Sequence, residues 1–235
     1  MSRLLDSKVV EQEESHWLSV SDLMAGLMMV FLFIAVALMR EAFIERDKVK
    51  NVAIAYQENQ VAIYDALMNE FEKDLERWDA TIDPDSLTFT FQSPEVLFAT
   101  GEITLSDRYK ALLEDFFPRY MEVLDDFRES INEVRIEGHT SSIWNNYVSD
   151  TEAYFKNMEL SQGRTRSVLA YVYGLPTSKD YRSWIKKTFA AVGLSSSRPV
   201  LTDAGEEDRQ RSRRVTFRVI TNADIQMRQI LELDH

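Results

Sequence analysis

The chain has 235 residues and a formal charge of −12, from 39 acidic against 27 basic side chains. Phosphate backbones would repel such a chain, which argues against nucleic acid as a partner. It holds no cysteine and three widely separated histidines (His16, His139 and His235), which excludes disulfides, thiol catalysis and Cys-ligated zinc. No HExxH, P-loop or GxGxxG pattern occurs, so the chain reads as a non-enzyme without metal or cofactor.

Residues 1–16 are polar and acidic and read as a short disordered tail. Leu23–Met39, LMAGLMMVFLFIAVALM, runs for seventeen residues without a charge. With Trp17–Asp22 added, the segment reaches about 34 Å at ~1.5 Å per residue, enough for a bilayer core of roughly 30 Å. Residues 17–39 are therefore expected to form a transmembrane helix. A cleaved signal peptide would carry a basic start and a small-residue cleavage site. Here EQEES precedes the run and no such site follows Met39. A buried helix of a soluble protein would show a polar face, which is missing. Arg3 and Lys8 precede the span, while Arg40, Arg46, Lys48 and Lys50 follow it. Positive charge alone would thus place the C-terminal side in the cytoplasm.

Residues 40–80 read as a helical linker, since 41–79 contain neither Pro nor Gly. Val49, Val52, Tyr56, Ile63, Leu67, Phe71, Leu75 and Trp78 make one apolar stripe at helical spacing. Such a stripe fits a helix packed on its own domain. It equally fits a helix paired with a second copy, with Gln60 interrupting the seam. Residues 81–235 predict a globular α+β domain. After a turn at residues 82–86, SLTFTFQ alternates as a strand. Ser106 caps an amphipathic helix that continues around Pro118. EVRIEGH is a second strand. NMELSQGRTRSVLAYVYGL is a helix ending at Gly174 as its C-cap. FAAVGLS and RRVTFRVIT are third and fourth strands, and residues 223–233 a short terminal helix. The basic run Arg209–Arg214 reads as the exposed start of the last strand. The expected fold is a βαβαβ-type mixed sheet with helices on one face.

Asp22 stands at the first turn of the apolar run. A carboxylate inside a bilayer costs about 2.5–3.5 kcal/mol on insertion scales, so it faces a protein partner or a watery path rather than lipid. Alternatively Asp22 lies at headgroup depth and only caps the helix start. Trp17-Leu18-Ser19-Val20-Ser21-Asp22-Leu23-Met24, with Met28-Met29 and Phe31-Leu32, resembles the span of MotB-type stator subunits. That resemblance implies that Asp22 carries the translocated ion, H+ or Na+, because the family's ion-carrying aspartate falls on it. Val20-Ser21 stands where the family has Tyr-Ala, which leaves the ion open. It also implies a bacterial inner-membrane, single-pass protein with a cytoplasmic N-terminus and a periplasmic C-terminal domain, against the charge count.

A second resemblance covers roughly residues 87–221 and is to the OmpA-like peptidoglycan-binding domain. Leu97-Phe98-Ala99-Thr100-Gly101 with Leu105 resembles its opening motif, and Ile136-Glu137-Gly138-His139-Thr140 its strand ending in Gly-His-Thr-Asp. Asn157-Met158-Glu159-Leu160-Ser161-Gln162-Gly163-Arg164 resembles Asn-x-x-Leu-Ser-x-x-Arg, and Arg213-Arg214-Val215 its closing strand. The likeness implies a peptidoglycan site built from Arg164, Asn157, Thr140, Ser141 and Leu160. Arg164, set near a helix start, would clamp the diaminopimelate carboxylate, helped by backbone N–H groups of that helix end. Asn157 would brace the loop, and His139 reads as a packed histidine.

Two departures stand out. Ser141 occupies the place of the family's Asp, which takes the ammonium of the wall peptide. The stretch to Asn157, SSIWNNYVSDTEAYFK, is longer than the family's spacing, and its Asp150 or Glu152 are candidates to substitute.

Span and wall domain together imply a stator in which a MotA-like multi-span channel subunit, five copies around two of this chain, uses ion flow while the wall domain resists torque. Flagellar members carry a basic tail; the acidic one here makes the chain more similar to MotB-like subunits of the Zorya anti-phage systems. The alternatives are a flagellar stator subunit and a passive membrane-to-wall tether.

Overall fold

The computed structural model describes residues 3–92, 97–145 and 147–225, with side chains from residue 20 onward. The chain divides into two units, Met1–Asn51 and Val52–His235. Helix α1 is Arg3–Trp78. In the first unit it takes in residues 3–16, expected as a disordered tail. That stretch contains no Pro or Gly, and more than half of its residues are Leu, Glu, Arg, Lys or Gln, which favour helix. Residues 20–51 are exposed throughout. Among the described residues, α1 is the one helix long and apolar enough, by length and composition, to cross a membrane.

The second unit starts at Val52, so much of the segment read as a linker belongs to the folded domain. Ile63, Leu67 and Phe71 are fully buried in its core. The apolar stripe thus packs on its own domain at these positions, at about 1.5–3 kcal/mol per large side chain. The ring of Phe71 lies 5.5 Å from Phe89 and 5.3 Å from Phe116. At the edge of this contact Arg119 reaches back to α1, with Nη1 on Asp74 Oδ2 (2.8 Å) and Nη2 on the Glu70 carbonyl (2.8 Å).

The remaining elements are β1 (Ala80–Asp83), β2 (Thr88–Phe91), α2 (Asp107–Asp125), β3 (Ile131–His139), α3 (Asp150–Gly174), a 3-10 turn (Pro176–Ser178), α4 (Arg182–Thr188), β4 (Phe189–Gly193), α5 (Arg209–Ser212) and β5 (Arg214–Thr221). The five strands lie in the order β1-β2-β5-β3-β4. β3 and β4 are parallel and the other neighbours antiparallel, which makes the expected mixed sheet. Phe89, Phe217 and Ile136 stand opposite one another on its inner face, under the helices. Thr90, Thr216 and Glu137 share the other face, at the next register position.

Several expectations change. Ile82 and Asp83, expected in a turn, belong to β1, a four-residue strand too short to announce itself by alternation. The hairpin closes where Asp83 Oδ1 accepts from the N–H and hydroxyl of Ser86. α2 has Ser106 as its N-cap, accepting from Tyr109 N–H, and carries Pro118 inside. α3 begins at Asp150, not near Asn157. Ser149 caps it by accepting from Glu152 N–H, and the second half of the insertion supplies its opening turns. Gly174 is the last helical residue but has no positive φ, and Leu175 follows in an extended conformation leading into Pro176. α4 was not foreseen. The start of the basic run forms α5, capped by Asp208 on the N–H groups of Gln210 and Arg211. Residues 222–225 are helical; the rest of the expected terminal helix lies outside the described residues.

Candidate functional site

Asn157, Leu160, Ser161 and Arg164 are spaced i, i+3, i+4 and i+7, which puts them on one face of α3. That face lies against the C-terminal ends of β3 and β4. The fit is close: a Cβ at Gly138 would come within 2.8 Å of the Ser161 backbone oxygen, so only glycine lets the helix approach. Asn157, Ser161 and Arg164 each then hold a different loop.

Asn157, buried, donates through Nδ2 to the Ser141 carbonyl at 3.1 Å. This is the loop-bracing contact expected of it. Ser161 Oγ accepts from Ser195 N–H at 3.1 Å. Ser195 is fully buried at φ +51, a left-handed conformation that costs a non-glycine residue roughly 1–2 kcal/mol. Its hydroxyl bond to the Tyr154 carbonyl (2.7 Å) offsets part of this, and its own carbonyl accepts from Thr140 N–H at 2.9 Å. Thr140 is fixed in place by this chain of contacts.

Arg164 is 8% exposed. Its Nε donates to the Glu102 carbonyl at 2.9 Å and Nη2 to the Ala99 carbonyl at 3.2 Å. The guanidinium lies 4.8 Å over the Phe98 ring. The loop it grips is closed by the bridge between Phe98 and Leu105 and turns at Gly101, whose φ of +76 suits glycine.

Thr140, Ser141, Asn157, Leu160 and Arg164 all line one cleft of about 270 Å³. Phe98, Thr100 and Gly101 close one side, Ile143 and Trp144 another, and Arg213 adds a second guanidinium. Arg213 escaped the sequence reading because its run was read as a strand start; its place in the Arg-Arg-Val motif was the available signal. Arg164 does not sit near a helix start. It lies fourteen residues into α3, so the helix N-terminus at Asp150 gives it no backbone donors. Asp150 and Glu152 do not line the cleft, and Glu152 pairs with Lys156 at 2.9 Å. Ser142 faces outward, where Glu207 accepts from its N–H (2.9 Å) and its hydroxyl (2.5 Å).

His139 packs on the polar face of the sheet, with Nε2 3.5 Å from Glu137 Oε2. Burial holds its imidazole below the usual histidine range, against the opposing hydrogen bond to Glu137. Burial also opposes ionisation of Glu137, yet the His139 bond with Arg198 and Arg218 keeps that carboxyl below its ordinary value.

Asp22 lies in the first unit and is exposed on α1. Ala25 and Gly26 follow it by three and four residues, so the helix surface one turn on is nearly bare of side chain.

No family model matches the chain. A protein of Escherichia coli strain Crooks, the Zorya protein ZorB, is 54% identical over 222 residues, which are 94% of this chain and 94% of that protein. The chain belongs to the ZorB family. The Zorya resemblance read from the acidic tail is thereby borne out, as is an α+β fold behind one long apolar helix. Solved structures resemble the domain more distantly. A MotB-like protein from Desulfovibrio vulgaris is 26% identical, with a TM-score of 0.47 over 69% of this chain and 91% of that one. The cell wall anchor of the type VI secretion system from Pseudomonas aeruginosa is 24% identical, with a TM-score of 0.45 over 66% of this chain and 97% of that one. The periplasmic domain of Helicobacter pylori MotB is 14% identical, with a TM-score of 0.40 over 66% and 97%. The family assignment rests on the sequence relative.

Proposed function

We propose that this chain is the wall-gripping, single-span subunit of an ion-driven stator complex that serves Zorya anti-phage defence in the bacterial inner membrane. Its N-terminus lies in the cytoplasm and its cleft in the periplasm. The cleft holds peptidoglycan through the carboxylate of a stem peptide, with Arg164 and Arg213 supplying charge and Thr140, Ser141 and Asn157 the hydrogen bonds. Asp22 takes up and releases H+ or Na+ against a MotA-like multi-span partner, five copies of which enclose two copies of this chain. Losing or gaining one charge at that interface shifts the balance between two packings of the complex. The wall contact turns the shift into torque.

The observation that carries the reading is the joint presence, in a ZorB-family chain, of five expected binding residues on one cationic cleft and a single acidic residue at the head of an apolar helix. The bare surface at Ala25 and Gly26 supports a partner helix packed beside Asp22. Phage plating on cells carrying the complete system tests it. Asp22→Asn, at unchanged protein level, is expected to abolish protection. Full protection by that variant would leave a passive tether as the better account.

A further inference from the structure

The long stretch between Ser141 and Asn157 builds one side of the cleft. Its first half carries Ile143 and Trp144 onto the cleft wall. Its second half forms the opening turns of α3. Those turns hold Lys156, which pairs with Glu152 at 2.9 Å and sets its ammonium 6.0 Å from the centre of the Trp144 ring. The two ends of the stretch are tied through Asn157 and the Ser141 carbonyl, and Glu207 holds Ser142. Two aromatic rings border the cleft, and they differ. Phe98 is 1% exposed and lies under the Arg164 guanidinium. Trp144 is only partly buried, and Ile143 beside it is 41% exposed. The side made by Thr100 and Gly101 is exposed but carries no ring.

Size points the same way. A space of about 270 Å³ falls below the roughly 300–1,000 Å³ that encloses a drug-sized molecule. It takes the tip of a stem peptide and leaves the rest of the ligand on the rim. The sugar that carries the stem is three residues from the diaminopimelate, roughly 11 Å at full extension, so it comes down at the border of the cleft. A pyranose ring has a face of C–H groups that sheds water against an aromatic ring, and an edge of hydroxyls that stays wet. Resting on the wall-binding reading above, we propose that Trp144, with Ile143 beside it, is a saccharide subsite: the indole packs on the amino-sugar from which the bound stem peptide hangs. The chain then grips glycan and peptide together. A stem cut free of its glycan bears no load, and a contact to the sugar favours stems still attached to the mesh.

Isothermal titration of the full-length chain in detergent tests this with two synthetic probes. One is the tripeptide Ala-γ-Glu-diaminopimelate acetylated at its N-terminus; the other is the same tripeptide joined there to N-acetylmuramic acid. The muramyl probe is expected to bind about tenfold more tightly, the scale of one good ring contact. Trp144→Ala should bring the two affinities together, and Trp144→Phe, which keeps a ring, should restore part of the gap. A general loss of cleft shape weakens both probes alike and leaves their ratio unmoved. Equal binding of the two probes to the wild-type chain overturns the proposal, and so does a ratio that survives Trp144→Ala. A surviving ratio together with lost self-association in mass photometry would assign the rim to a second copy of the chain instead. If purified sacculi co-sediment with the chain but neither probe binds, this proposal fails and wall binding stands. If sacculi also fail to bind, the wall-binding reading falls with it.

Discussion

Replacing Arg164 by Lys keeps the charge on the cleft and removes the planar fork that grips the loop before α2. Arginine here uses Nε on the Glu102 carbonyl and Nη2 on the Ala99 carbonyl, and stacks over Phe98. A hydrogen bond from a charged group contributes about 1.5–3 kcal/mol. The cation–π contact adds roughly 0.5–2 kcal/mol. A lysine ammonium is a point donor without the fork that places Nε and Nη2 on separate carbonyls, so it recovers only part of this grip. The net loss is about 2–3 kcal/mol after that recovery, since the contributions overlap. For a folded unit of this size, that lowers Tm by roughly 4–12 °C. Thermal unfolding of the full-length chain in detergent reads the first effect. Co-sedimentation with purified sacculi reads the second, which should fall at least tenfold at a temperature where the variant is folded. A variant with wild-type Tm and wild-type wall binding would refute the reasoning, because charge alone would then suffice.

Gly138→Ala puts a Cβ 2.8 Å from the Ser161 backbone oxygen, and should destabilise the domain by about 1–3 kcal/mol in denaturant titration while weakening wall binding through the displaced α3 face. Stability should also fall on acidification. His139 is held below its ordinary value of 6.5, so as pH drops below that value the unfolded chain takes a proton that the folded chain refuses. Glu137, also held low, acts in the same direction at lower pH, its contribution being present above its ordinary value and lost as pH falls through the folded one. His139→Gln should flatten the change in denaturation midpoint between about pH 7.5 and 5.5; an unchanged slope would assign the effect to other groups.

What could be read in the sequence followed physical strength of signal. The apolar run of α1 and the alternating β5 announced themselves, since seventeen uncharged residues and a strict period of two have few competing meanings. The cleft residues were legible through the likeness of residues 136–141 and 157–164 to motifs of the OmpA-like domain, and one face of α3 brings Asn157, Leu160 and Arg164 together. β1 and α4 were missed: elements of four and seven residues leave too short a period to stand out. The start of α3 was placed late, because Ser149 was seen as part of an insertion rather than as a cap. The contacts of Arg164 were not legible, because its grip on two backbone carbonyls is a tertiary fact with no local signature. Thr140 likewise owes its position to Ser195, more than fifty residues away.

A stator of this kind works only if a cation passes at Asp22. Proteoliposomes holding this chain with its MotA-like partner, loaded with a pH- or sodium-sensitive dye and given an inward gradient, measure that directly. A flux carried by the wild-type complex and absent from Asp22→Asn, at equal incorporation and equal wall binding, is the predicted result. Equal flux from both, or none from either when the complex is intact and protective in cells, would contradict it.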